Sequence, residues 1–245
     1  QSTPPQTQER QIPQLLPKER LVYYADSGHC PYGGKPRGEI IARACAITEF
    51  LLAREAKLIV VACNTATIAA VEHLRATYPI PFVGMEPAVK PAVAQTRSGV
   101  VGVLATGAAL AGEKFHKLVA QHAQGVRMIT QPCPGLVECV ERGDLDGPEP
   151  RRLVAQYTAP LLAAGADTLV LGCTHYPFLR PLIAEIAGPQ VTLLATGAAV
   201  ARQMRRVLER EQLLNDDGDG VIEWQTSGNA ENFDRLHRLL MSVRA

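Results

Sequence analysis

The chain has 245 residues, 47% of them hydrophobic and 20% charged, enough to bury the core of one large domain or two modest ones. With 25 basic against 24 acidic side chains, and no basic run, it carries no electrostatic footprint for nucleic acid or an anionic membrane surface. No apolar stretch approaches the ~20 residues of a membrane span, and the polar, proline-containing start is unlike a secretory signal, which points to the cytoplasm.

The first segment, 1–14, carries Pro4, Pro5 and Pro13 and reads as a poor helix and an unlikely central strand. Beyond it, short β-rich apolar runs at 21–25, 58–62, 81–84, 100–104, 126–129, 169–172 and 191–194 alternate with longer helical patterns. Between the first two runs, Ile40, Ile41, Ala44, Cys45, Thr48, Leu51 and Leu52 recur at helical spacing, predicting an amphipathic helix that covers a sheet face. This alternation means βαβ units and a mostly parallel sheet, and unbroken runs such as Leu58-Ile59-Val60-Val61 suit strands covered on both faces.

The chain also echoes itself. Residues 52–63 align without gaps with residues 162–173, each copy reading helix end, turn, buried strand and then a cysteine, Cys63 or Cys173. Two similar α/β domains are therefore expected, the first from 1–85 plus 195–245 and the second from 86–194. Both cysteines fall at the carboxyl ends of strands, where open parallel sheets place their ligand crevices. Asn64-Thr65 follows one and Thr174-His175 the other, and small polar residues there cap helices whose free N–H groups receive a carboxylate. A thiol beside a helix N-terminus is suited to acid/base work.

The other four cysteines, Cys30, Cys45, Cys133 and Cys139, read as small buried hydrophobes, Cys45 being on the apolar face of its helix. Free thiols are expected throughout, and neither a CxxC pair nor an HExxH helix suggests a metal.

Val60-Val61-Ala62-Cys63-Asn64-Thr65-Ala66, Pro81 to Val89 and Leu171-Gly172-Cys173-Thr174-His175-Tyr176-Pro177 resemble the signatures of bacterial glutamate racemases. The loop from Tyr24 to Gly33 and Trp224-Gln225-Thr226-Ser227-Gly228 fit as well, and the likeness runs from about Leu15 to the C-terminus. It implies a two-domain, pseudo-twofold α/β enzyme with its active site in the cleft between the domains. It also implies cofactor-independent interconversion of L- and D-glutamate, with no pyridoxal phosphate, in supply of peptidoglycan. Cys63 and Cys173 would be the two proton-transfer groups, assisted by His175 and Glu138, with Cys63 acting on D-glutamate and Cys173 on L-glutamate. Pro31, Tyr32, Gly33, Asn64, Thr65, Thr106 and Thr174 would hold substrate. A homodimer is compatible with the resemblance.

The family's opening strand, ending in Asp-Ser-Gly-Val-Gly-Gly, has no counterpart here; Asp26-Ser27-Gly28 repeats the letters in the second-strand loop and is not given that role. Ala109 and Ala195 stand where the family has a threonine and commonly an aspartate. Two other readings follow: another amino-acid or hydantoin racemase, or a non-catalytic paralogue that binds a small acid or a protein.

Overall fold

The computed structural model describes residues 8–242. They form two compact units, one reaching up to Met85 and including Gly197–Arg235, the other Glu86–Thr196 with residues from Leu236 on. The start is more helical than its prolines suggest: α1 (Gln8–Leu15) forms with Pro13 inside it, while residues 1–7 lie outside the described part. Packing overrides propensity here, because Ile12 and Leu16 bury against Met204 and Leu208 of a later helix.

The first unit continues through β1 (Leu21–Ala25), α2 (Arg37–Leu52), β2 (Ile59–Val61), α3 (Asn64–Thr77) and β3 (Phe82–Gly84). Strand alternation explains the unbroken apolar run at 58–62. Ile59 and Val61 point into a cluster with Ala70, Val71 and Leu74 of α3 and the apolar face of α2, whereas Leu58, Val60 and Ala62 face Val200 and Val207 on the other side. Thr67, fully buried on α3, donates its hydroxyl to the Val61 carbonyl (3.1 Å) and accepts from the Met85 N–H (3.0 Å), so one side chain ties the ends of β2 and β3 to the helix.

The second unit runs α4 (Val89–Gln95), β4 (Val100–Ala105), α5 (Gly107–Ala111), α6 (Glu113–His122), β5 (Arg127–Pro132), α7 (Leu136–Arg142), α8 (Pro148–Ala163), β6 (Thr168–Leu171), a short 3-10 turn (Tyr176–Leu179), α9 (Arg180–Ala187) and β7 (Thr192–Leu194). Its four strands pair in parallel in the order β5-β4-β6-β7. As an edge strand β5 tolerates the polar Thr130-Gln131-Pro132, which carry it three residues past the expected end at 129. Leu161 of α8 and Leu169 of β6 crowd Gly102 so closely that a Cβ there would meet them at 2.8 and 2.6 Å. Asp167 pins the start of β6 by accepting from Thr96 Oγ1 (2.6 Å) and from the N–H groups of Arg97 (2.7 Å) and Ser98 (2.8 Å).

After β7 the chain returns to the first unit as α10 (Gly197–Arg210), which packs on α1, and β8 (Ile222–Thr226), a parallel partner of β1, before α11 (Ala230–Ser242). β8 lies outside the strands expected from the sequence; its core-facing pattern is weak because all five residues are only half-buried. The expected α/β class with parallel sheets is what the chain adopts. All six cysteines are free thiols. Among the described residues, no helix is long and apolar enough to cross a membrane.

Candidate active site

Cys63 lies two residues beyond β2 and is the N-cap of α3, with extended backbone (φ −151°, ψ 127°). Its sulphur accepts from the Ala66 N–H at 3.5 Å. A donor aimed at the sulphur and the positive end of a 14-residue helix both stabilise negative charge there. Next to it, Asn64 is buried with neither end of its side-chain amide hydrogen-bonded. An orphaned buried amide costs about 1–3 kcal/mol, so this position calls for a partner that brings both a donor and an acceptor. Thr65 is buried alongside.

The loop that follows β1 reaches the same place. Tyr32 packs against the same Ile40, Ala66 and Ala69 cluster as Cys63, near enough to feel its charge, and its hydroxyl donates to the Asp26 carboxylate. Burial and the bond to Asp26 push that hydroxyl well above the usual tyrosine range. Pro31, which follows a cis peptide, and Gly33 are exposed on either side of Tyr32.

In the other unit the strand order changes direction between β4 and β6, the kind of switch point at which α/β sheets bind ligands. Leu104 pairs with Leu171, so Thr106 and Cys173, each two residues further on, emerge side by side. Gly172 is required for this: its N–H reaches the Leu104 carbonyl at 2.7 Å, and a Cβ would come within 2.9 Å of that oxygen. Thr106 caps α5 by accepting from the Ala109 N–H at 3.2 Å.

Cys173 is buried, and its Sγ lies 3.8 Å from His175 Nδ1. The other ring nitrogen, Nε2, lies 2.6 Å from Glu141 Oε1. Thiol, imidazole and carboxylate thus form one chain along which a proton is oriented, the carboxylate favouring the imidazole form that carries hydrogen on Nε2. Glu138, the acidic residue singled out by resemblance, is exposed on the first turn of α7, and the structure brings Glu141, one turn later, to the imidazole. The i, i+3 repeat of acids on one helix was the only signal for Glu141, and it does not say which acid faces inward.

Tyr176 is fully buried; its hydroxyl donates to the Cys133 carbonyl (3.3 Å), and Tyr157 donates to Pro134 (2.8 Å), so two tyrosines brace the turn that launches α7. Burial pushes the Cys133 thiol up to about 12, which suits a packing role.

The family model for Asp/Glu/hydantoin racemases matches residues 6–204. A glutamate racemase of Herpetosiphon aurantiacus is 57% identical over 94% of this chain and 91% of its own length. The chain belongs to the Asp/Glu/hydantoin racemase family. Its solved relatives include glutamate racemase RacE1 of Bacillus anthracis, with a TM-score of 0.84 at 28% identity over 96% of this chain and 89% of that one. The Escherichia coli glutamate racemase, solved with L-glutamate and the activator UDP-MurNAc-ala, gives 0.83 at 30% identity over 96% and 90%. Like these family members, the chain is an isomerase.

Proposed function

We propose that this protein interconverts L- and D-glutamate by two-base proton transfer, with Cys63 and Cys173 as the two acid/base groups. The observation that carries the reading is the pair of strand-end cysteines in matching local settings, each followed by hydrogen-bonding residues, within a chain 57% identical to a glutamate racemase. Inversion at a carbon without a cofactor needs a base on one face and an acid on the other. In this reading the thiolate of one cysteine takes the α-proton and the thiol of the other returns one to the opposite face, so that each direction leaves the pair in the state the reverse direction requires. Cys173 removes the proton of L-glutamate and Cys63 that of D-glutamate.

His175, held by Glu141, serves Cys173 by taking its proton and giving it back. The unpartnered amide of Asn64 suits an amino acid, whose ammonium donates and whose carboxylate accepts. Thr65, Thr106, Thr174 and the 31–33 loop complete the substrate contacts. The protein acts in the cytoplasm and supplies D-glutamate for peptidoglycan. The test is turnover of purified protein with each enantiomer, followed by circular dichroism without added cofactor; absence of turnover with both refutes the reading, and preference for aspartate or a hydantoin replaces its substrate.

A further inference from the structure

The loop at 26–33 is held by few backbone bonds, from His29 and Cys30 to the Asp26 carbonyl, both 3.0 Å, and from Lys35 to the Tyr32 carbonyl, 3.1 Å, so its shape depends on side chains. The hub is the Asp26 carboxylate, whose side chain is only 8% exposed. Arg43 donates Nη2–H to Oδ1 at 2.5 Å and Nε–H to Oδ2 at 3.2 Å, Tyr32 donates its hydroxyl to Oδ2, and His29 Nδ1 lies 3.2 Å from Oδ1. Burial alone would raise the Asp26 carboxyl; bonds from Arg43, Tyr32 and Ser227 outweigh it and hold the group ionised. Three of these partners belong to loops, whereas Arg43 stands in the middle of the 16-residue α2, which is packed into the core through Ile40 and Thr48.

Resting on the glutamate reading above, we infer that Arg43 is a positioning residue: through Asp26 it fixes Tyr32 on the Ile40, Ala66 and Ala69 cluster that also carries Cys63, and so sets the substrate loop at 31–33. The guanidinium fork is the tie between that loop and a rigid helix. Its geometry asks for arginine, since a lysine ammonium is a point donor that reaches one carboxylate oxygen well and the other poorly.

Arg43→Gln, Arg43→Lys, Tyr32→Phe and the Arg43→Gln/Tyr32→Phe double variant test this by KM and kcat for both enantiomers. An equilibrium constant of one obliges kcat/KM to fall equally in the two directions. Losing a loop that binds ground and transition states alike raises KM about tenfold in Arg43→Gln, with kcat within about threefold of the parent. Arg43→Lys recovers part of the loss, and the double variant is little worse than Arg43→Gln alone because both changes act through one hub. A folded Arg43→Gln with unchanged KM, lowered only in melting temperature, overturns the inference, as do fully multiplicative effects on KM. A second readout needs no turnover: mass mapping of iodoacetamide alkylation should show Cys63 modified several-fold faster in Arg43→Gln and in Arg43→Lys. Unchanged alkylation in both overturns the positioning role, whereas failure of the parent protein to racemise glutamate refutes only the functional reading.

Discussion

The repeat of residues 52–63 at 162–173 extends to the backbone and yields a stability test. After α2, the Glu55 N–H bonds the Leu52 carbonyl (2.9 Å) and the Ala56 N–H the Leu51 carbonyl (3.1 Å); after α8, Gly165 and Ala166 make the same two bonds, at 2.9 and 3.1 Å, to Leu162 and Leu161. Both turns need a left-handed residue, with φ +63° at Glu55 and +88° at Gly165. Only the second copy has glycine. An L-residue held there costs about 1–2 kcal/mol, and glycine gives back about 0.5–1 kcal/mol in chain entropy, so Glu55→Gly should stabilise by about 0.5–1 kcal/mol. For a chain of this size that is a rise of about 1–4 °C in Tm, measured by far-ultraviolet circular dichroism. Glu55 is exposed, and nothing stands within 4 Å of a Cβ at Gly165, so Gly165→Ala isolates the backbone cost and should destabilise by about 1 kcal/mol. A Glu55→Gly protein that melts no higher than the parent refutes the argument from backbone conformation.

Asp167→Asn removes the charged acceptor of two N–H groups and two hydroxyls, those of Thr96 and Thr168, and should cost about 1.5–3 kcal/mol in urea unfolding. Those bonds hold the Asp167 carboxyl below the usual carboxylate range against the opposing effect of burial, so its contribution is full above about pH 4 and is lost as pH falls through the lowered value. The gap between parent and variant should be constant from pH 5 to 7 and close below about pH 4; a gap that widens in acid contradicts the assignment. Glu141→Gln keeps the shape but removes the charge at His175 Nε2, and kcat should fall at least about tenfold, toward the 10²–10⁴ that a positioned acid/base group contributes. Glu138→Gln, on the exposed turn, should cost far less, and the reverse ranking in steady-state kinetics would return the role to Glu138.

Local pattern carried the fold a long way. The apolar run at 58–62 is a strand with helices on both of its faces, the run at 100–104 is a buried strand, and the helical spacing from Ile40 to Leu52 lies within α2. What the sequence hid were features decided at a distance. Helix α1 forms across Pro13 because α10, nearly 200 residues later, offers Met204 and Leu208 to pack on. β8 is half-buried and among the described residues pairs only with β1, so its run lacks the continuous apolar signature. In the candidate site, strand-end position and capping residues are local, so the placement of Cys63 and Cys173 was legible for that reason. Glu141 was not, because the register of α7 follows from Gly135, left-handed at φ +89°, and from the tyrosines that brace the preceding turn. Arg43 was invisible for the same reason: it reads as one polar position of an amphipathic helix until its partner 17 residues earlier is folded against it.

The most direct test of the two-thiol account is α-proton exchange in deuterium oxide, followed by proton NMR, for the parent protein, Cys63→Ala and Cys173→Ala with each glutamate enantiomer. The account predicts racemisation with deuterium incorporation in the parent and no racemisation in either variant. Residual exchange should come only from L-glutamate in Cys63→Ala and only from D-glutamate in Cys173→Ala, each through the remaining cysteine returning deuterium to the same face. Racemisation that survives either substitution, or exchange of both enantiomers by one variant, would contradict it.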